Sequence, residues 1–281
     1  MKTRSNTAKL VECALLIAVG TVLSLAKIAE LPYGGSVTLA SMLPVIIISY
    51  RHGLGWGMGS GVAFAVVQQL LGLKNLSYVT TWQSILAVIF LDYIFAFAVC
   101  GLGGLFRKQL KTQSVALACG SLFVSILRYF CHVISGATVW AGISIPTKAA
   151  LGYSLVYNAT YMIPETIVLV LVAYYIGSMI DFTKDVPVRM KRDIGNQTAD
   201  MLSILSGLVG VAALITDVAL IFAHMQDPET GEFNIQLLKP EVFADSFWMV
   251  VTIVTAVAVV AVAAMLVARH YVLQKKNTEE E

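Results

Sequence analysis

The sequence predicts an all-α integral membrane protein, with a six-helix bundle followed by two additional transmembrane helices. Composition is the first observation: 58% of the 281 residues are hydrophobic and 13% are charged, whereas soluble domains average about 25% charged residues. The second is that apolar runs of about 20 residues, enough to cross a bilayer as a helix, recur along the chain. The third is an uneven distribution of Lys and Arg between the connecting segments, which indicates orientation.

Eight apolar segments are predicted to form the helices. They cover roughly residues 8–28, 37–50, 53–72, 83–106, 114–136, 152–181, 201–223 and 246–269. The second segment is short and contains Pro44, so it is tilted, packed inside the protein, or begins before Ser36. The first has a basic flank like a signal peptide, but its long run shows no small-residue cleavage site, and we expect a retained helix.

Basic residues concentrate on one side of this arrangement when the N-terminus is placed inside. The inside segments then hold Lys2, Arg4, Lys9, Arg51, Arg107, Lys108, Lys111, Lys184, Arg189, Lys191, Arg192, Arg269, Lys275 and Lys276. The outer loops hold Lys74 and Lys148, with Lys27 near a boundary and a Lys in the last, acidic loop. Lys and Arg favour the cytoplasmic side, so both termini are predicted to be cytoplasmic.

The polar stretch after the sixth helix divides the chain. Residues 1–181 are predicted to form the six-helix unit, 182–200 a cytoplasmic linker, and 201–281 an accessory hairpin with an acidic outer loop and a basic tail. The sequence contains no phosphate-binding P-loop, no zinc motif and no nucleophile elbow. It also lacks the basic and aromatic patterning of nucleic-acid binding, so we expect no nucleic-acid partner. Four cysteines lie in apolar runs and are expected to be reduced: Cys13, Cys100, Cys119 and Cys131.

Ionisable side chains inside the predicted spans mark a candidate site, because such groups are costly in a bilayer. At 1.5 Å per residue, Asp92 and Arg128 both lie about 13 Å below the outer surface, and His132 lies one turn above Arg128. Further polar or aromatic groups of the outer half are Trp140, Tyr153 and Asn158. Mostly apolar walls with a few placed polar groups predict a small-molecule pocket open to the outside.

Each of these residues also has a purely structural interpretation. Asp92 and Arg128 could pair and fix two helices. His132 alone is typical of a satisfied interior histidine, Trp140 and Tyr153 could be interfacial aromatics, and Asn158 could be an interhelical hydrogen bond. As a site, a carboxylate among aromatic rings suits a flat cationic heteroaromatic ligand. Arg128 offsets Asp92, so it either positions the carboxylate or binds an anionic part of the ligand.

Three segments of this sequence resemble a known family. RYFCHVISGATVW followed by YSLVYN is similar to the signature of the thiamine-specific S-component of energy-coupling factor (ECF) transporters, the ThiT family. LPYGGSVTLASMLPVIIISYRHGLGWGMGSG (31–61) and LDYIFAFAVCGLGGLF (91–106) add to the resemblance. It covers about residues 8–181, the whole six-helix unit.

The resemblance implies a substrate-binding subunit, multi-pass in a bacterial-type plasma membrane, that captures thiamine at the outer face. Its implied partners are a membrane coupling protein and two cytoplasmic ATPase subunits, which hydrolyse the ATP. It therefore implies no cofactor and no enzymatic activity in this chain.

The resemblance also assigns roles to individual residues. Four match thiamine-contacting positions, with the first two flanking the thiazolium ring: His132, Trp140, Tyr153 and Asn158. Asp92 stands where the family often has glutamate, and Tyr93 follows it as in the family. Arg128 is a further candidate contact. Gly35 stands where relatives can carry a tryptophan that closes over the substrate, and Tyr33 is a candidate replacement.

Small residues on the first helix, Ala14 and Ala18, resemble the surface that docks the coupling protein. Ordinary helix packing explains the same spacing.

Three other functions compete with thiamine capture. The chain could be an S-component for another heterocycle, such as a thiamine precursor. It could be a membrane enzyme or scaffold using Asp92, Arg128 and His132, although no nucleophile, base and orienting group can be assembled from the sequence. A stand-alone secondary transporter would show inverted repeats, and the sequence shows no clear repeat.

Overall fold

The computed structural model describes residues 5–31, 34–143, 145, 147–148, 150–190, 197–225 and 246–280. The chain divides into two compact units, Met1–Met190 and Lys191–Glu281. The first unit extends beyond the predicted sixth helix because two short strands pair there. These strands are β3 (Ile180–Asp181) and β4 (Val188–Arg189).

Six helices form the first unit. They are α1 (Asn6–Leu25), α2 (Leu43–His52), α3 (Leu54–Leu71), α4 (Trp82–Arg107), α5 (Gln113–Thr138) and α6 (Ala150–Met179). All but α2 are long and apolar enough to cross a membrane. Their outward sides carry exposed large apolar residues, as expected of helices that face lipid.

Helix α2 explains the short second segment of the sequence. It has 10 residues, and every residue from Leu43 to Tyr50 is buried. Pro44 lies in its first turn, where no intrahelical N–H bond is required. Of the three sequence interpretations, packing inside the protein is therefore confirmed. Gly53, at φ 94°, makes the reversal into α3 in a conformation that other residues rarely adopt.

A short antiparallel hairpin between α1 and α2 departs from the predicted all-α pattern. Its strands are β1 (Lys27–Glu30) and β2 (Ser36–Thr38), with Glu30 opposite Ser36. The prediction that the first helix continues to residue 28 was wrong, because α1 ends at Leu25 and β1 begins two residues later. The chain folds back between the two strands, where Gly34 has φ 107°.

The opposite end of the unit is held by Arg51, which the orientation rule places in the cytoplasm. Its guanidinium pairs with the Glu12 carboxylate of α1. It also donates to the carbonyl oxygens of Phe182 at 2.6 Å, Lys184 at 3.1 Å and Asp185 at 3.1 Å. One side chain thus joins α1, the α2–α3 turn and the segment after α6.

The second unit contains α7 (Gln197–Met225) and α8 (Ser246–Glu280), which pack against each other. Ser246–Val272 is long and apolar enough to cross a membrane, whereas the apolar stretch of α7, Met201–Leu214, is shorter. Thr255 donates a 2.7 Å hydrogen bond to Asp217 across the pair. The predicted acidic outer loop lies outside the described residues. The hairpin's accessory role and the cytoplasmic location of both termini remain predictions.

Candidate functional site

A cavity of about 300 Å³ lies in the first unit, among α4, α5, α6 and the β1–β2 hairpin. This volume is at the lower end of the range for small-molecule sites. Both polar and apolar groups line it, and it contains most of the residues singled out from the sequence. The predicted pocket is therefore present, and its chemistry depends on how its charged groups are paired.

The Asp92 carboxylate is fixed by three side chains of α5 and the segment after it. One oxygen accepts from Ser135 Oγ at 2.7 Å and from Trp140 Nε1 at 2.9 Å. The other lies 3.0 Å from His132 Nδ1. Because an ionised carboxylate only accepts, this contact places a proton on Nδ1 of His132. Asp92 is thus oriented by hydrogen-bond donors and not by a permanent cation.

Arg128 pairs with Glu165 and not with Asp92, so the structural alternative of an Asp92–Arg128 pair does not hold. Its Nη1 lies 3.0 Å from Glu165 Oε2, with the two side chains 7% and 5% exposed. The guanidinium also stacks 5.0 Å above the Phe97 ring. Arg128 lies one turn below His132 on α5, so His132 reaches Asp92 while Arg128 meets Glu165 on α6.

This pairing determines the charge that remains for a ligand. Among the described residues that line the cavity, two carboxylates have a Lys or Arg partner: Glu30 lies 2.6 Å from Lys27, and Glu165 is paired with Arg128. Asp92 is the third carboxylate of that lining, and its partners are His132, Ser135 and Trp140. No Lys or Arg of the described lining is paired with Asp92, and Lys74 is a further basic residue of that lining, so the Asp92 charge can interact with a cation that enters the cavity while His132 is neutral.

Asp92 and Tyr93 lie in a π-helical segment of α4, Ile89–Phe95, which the sequence analysis missed. Such segments are rare and often occur at functional sites. The Tyr93 hydroxyl accepts from Asn75 Nδ2 at 2.9 Å and lies 3.3 Å from the Gly72 carbonyl oxygen. Tyr93 is thus a fixed wall of the cavity, held by the segment that follows α3.

Asn158 lies in the cavity wall where α5 and α6 cross. Its Nδ2 donates to the Ser154 carbonyl oxygen at 2.9 Å, and its Oδ1 accepts from the Tyr161 hydroxyl at 2.6 Å. A carbonyl oxygen has two lone pairs. The bond from Tyr161 uses one of them, so Asn158 keeps acceptor capacity for a ligand.

The structure brings together seven of the predicted site residues in the cavity lining: Gly35, Asp92, Tyr93, Arg128, His132, Trp140 and Asn158. Tyr153 is not part of that lining, and Tyr33 lies outside the described residues. Tyr157 and Tyr161 also line the cavity but were not predicted from the sequence, and Glu165 was given no role there. The signal was the four-residue spacing in YSLVYNATYMIPE, since residues one turn apart share a helix face.

Gly35 packs directly on α6. A Cβ atom at this position would lie 2.6 Å from Leu31 Cδ1 and 2.9 Å from Tyr161 Cε1. A tryptophan, as some relatives are expected to carry here, therefore has no room unless the hairpin moves. In this chain the backbone of the β1–β2 hairpin packs directly against Tyr161 of α6 at this position.

Gly136→Ala tests the helix crossing beneath Asn158. The added Cβ would lie 3.3 Å from Asn158 Nδ2 and closer still to Ser154 Oγ. Overpacking of this kind costs about 1–3 kcal/mol, and we expect a lower thermal unfolding temperature in detergent together with weaker ligand binding.

The matched control is Gly152→Ala on α6, where an added Cβ meets nothing within 4 Å. This control is expected to be neutral or stabilising by up to about 1 kcal/mol. Equal unfolding temperatures for Gly136→Ala and the wild type would show that the crossing tolerates the methyl group.

Within the described part of the chain, no group of three or more His, Cys, Asp or Glu is placed to hold a metal ion. All four cysteines are free, with Cys13 and Cys100 buried.

Known proteins are similar to the first unit in sequence and in fold. The family described as Thiamine transporter protein (Thia_YuaJ) matches residues 10–183. The thiamine transporter ThiT of Bacillus subtilis (strain 168) is 33% identical over 183 residues, which are 61% of this chain and 91% of that protein. A solved structure of ThiT from Listeria monocytogenes has a TM-score of 0.50 at 22% identity, covering 60% of this chain and 92% of that one.

The family match spans more than half of the chain and confirms the resemblance found in the sequence. It also identifies the chain as a multi-pass plasma-membrane protein and excludes the alternative of a membrane enzyme. The chain belongs to the thiamine transporter family.

Proposed function

We propose that this chain binds thiamine in the cavity of its first unit and supplies it for uptake. The observation that carries the proposal is Asp92, a carboxylate in a cavity of about 300 Å³, oriented by Ser135, Trp140 and His132 and lacking a Lys or Arg partner among the described lining residues. The thiazolium ring of thiamine carries a permanent positive charge. A carboxylate next to that ring offsets its charge without a proton transfer.

The surrounding side chains suit the rest of the ligand. Trp140 and His132 lie on either side of the Asp92 carboxylate in the hydrogen-bond network, so their rings are close to where the thiazolium would lie. A cation gains from the face of a tryptophan ring. The acceptor capacity of Asn158 Oδ1 fits the exocyclic amino group of the thiamine pyrimidine. Tyr157 replaces Tyr153 as the aromatic wall that we propose for this end of the ligand.

We further propose that transport uses partners, a membrane coupling protein and two cytoplasmic ATPase subunits. Ala14 and Ala18 are both exposed on α1, and Ala14 borders a groove of about 470 Å³ between α1 and α3. Small residues at this groove, including Gly55 and Gly59 of α3, allow another helix to approach closely. The groove supports docking of the coupling protein here, and the α7–α8 hairpin is proposed as an accessory element.

A fluorescence titration of the purified full chain in detergent tests thiamine binding. Trp140 borders the cavity, so we expect saturable quenching of tryptophan emission on adding thiamine. Trp140→Phe should remove most of the signal while calorimetry still detects binding. Saturation by a thiamine precursor but not by thiamine would favour the other heterocycle.

A further inference from the structure

The β1–β2 hairpin forms one wall of the cavity, and α6 holds it in place. Residues of the hairpin and its turns line the cavity, among them Glu30, Gly35, Ser36 and Thr38. We propose that Glu165 is a positioning residue, a buried anchor that fixes this hairpin over the ligand cavity and thereby limits how fast ligand enters and leaves.

Glu165 connects the hairpin to the bundle through both carboxylate oxygens. Oε1 accepts from the Thr38 hydroxyl at 2.8 Å, and Oε2 lies 3.0 Å from Arg128 Nη1. Thr38 is also 2.8 Å from Ser41 Oγ, just before α2. All four residues are at least 94% buried. Hydrogen bonds to an ionised group away from water are among the stronger ones in proteins, so the last residue of β2 is held firmly.

A second contact of the hairpin lies one turn away on the same face of α6. Gly35 packs on the Tyr161 ring, and the Tyr161 hydroxyl bonds to Asn158. Asn158, Tyr161 and Glu165 therefore follow one another along α6. The first faces the ligand site, and the other two hold the hairpin. A ligand that shifts Asn158 acts on the same helix face that carries the anchor.

The backbone after the anchor is strained. Ala40 has φ 53°, in the left-handed region that non-glycine residues seldom adopt, and its N–H bonds to the Thr38 carbonyl oxygen at 2.9 Å. Such conformations persist where the surrounding structure holds them. The Thr38–Glu165 bond is adjacent to this turn, so its loss should loosen the hairpin rather than the bundle.

Thr38→Val is the direct test, because it removes the hydroxyl while keeping the shape and the Arg128–Glu165 pair. Hydrogen–deuterium exchange of the ligand-free full chain should show about tenfold faster exchange for amides in residues 27–41, equivalent to about 1.4 kcal/mol. Stopped-flow fluorescence should show thiamine dissociating about tenfold faster, by the same relation. The stopped-flow measurement rests on the proposed thiamine function, whereas the exchange measurement does not.

Two control variants separate the anchor from general destabilisation. Thr38→Ser restores the hydroxyl and should behave as the wild type. Thr166→Val removes a hydroxyl from the residue next to Glu165, where it bonds to the Met162 carbonyl oxygen, and should change neither measurement. Faster exchange confined to the hairpin in Thr38→Val supports the anchor. Unchanged exchange in Thr38→Val, or equal acceleration in Thr166→Val, overturns it. A wild type that does not bind thiamine refutes the proposed function and leaves the exchange result decisive.

Discussion

Asp92→Asn is expected to weaken thiamine binding by about 1–3 kcal/mol, the cost of losing a hydrogen bond to a charged group. Asparagine keeps the shape of aspartate but has no charge to offset the thiazolium. It also offers one oxygen where the carboxylate offers two, so one of its donors, Ser135, Trp140 or His132, must face an amide N–H.

The matched control is Asp181→Asn, which makes the same change in β3, after the end of α6. Asp181 accepts a hydrogen bond from the Thr183 N–H at 2.9 Å and takes no part in the cavity. Isothermal calorimetry of both variants in detergent gives the comparison. Wild-type affinity in Asp92→Asn would mean that Asp92 only holds α4 against α5.

Glu165→Leu is expected to destabilise the protein by about 3–5 kcal/mol, because it leaves the Arg128 charge buried without a partner. For a chain of this size, that loss lowers the thermal unfolding temperature by about 10 °C. Arg128 is 5% exposed, so water cannot replace the carboxylate without rearrangement of α5 and α6. Thermal unfolding in detergent, followed by loss of helical circular dichroism, measures the effect.

The double variant Arg128→Met with Glu165→Leu separates charge from packing. Replacing both members of a buried ion pair with apolar residues is often neutral or stabilising, so the double variant should recover most of the lost unfolding temperature. The single variant Arg128→Met completes the comparison. If the decrease in unfolding temperature of the double variant equals the sum of the decreases in the two single variants, the pair is not coupled. Thermal stability is measured without thiamine, so this result does not depend on the ligand.

The bundle was predictable from apolar run length alone, because membrane spans need about 20 apolar residues. The internal helix α2 could only be narrowed to three interpretations, since ten apolar residues do not reveal whether lipid or protein covers them. The β1–β2 hairpin was missed because its strands have four and three residues, too few for a period-two pattern.

The sequence predicted most of the residues named for the cavity lining, but it did not predict which of them pair with each other. Counting residues at a constant rise placed Asp92 and Arg128 at one depth, but Asp92 lies in a π-helical segment that packs more residues into each turn. The residue count gave only an approximate depth, and the structure pairs Asp92 with His132, one turn above Arg128 on α5. The rotation of α6 about its axis was also unknown from the sequence. Glu165, one turn below Tyr161 on α6, was therefore not predicted to be the partner of Arg128.

Calorimetric titration of the wild-type chain with thiamine and with a neutral analogue, in which an uncharged ring replaces the thiazolium, tests the central claim most directly. The claim is that Asp92, a carboxylate without a Lys or Arg partner in the described cavity lining, provides the negative charge that a cationic ligand contacts. It predicts saturable heat with thiamine and affinity for the neutral analogue weaker by about 1–3 kcal/mol. Equal affinity for the two compounds, or no heat with thiamine, would contradict it.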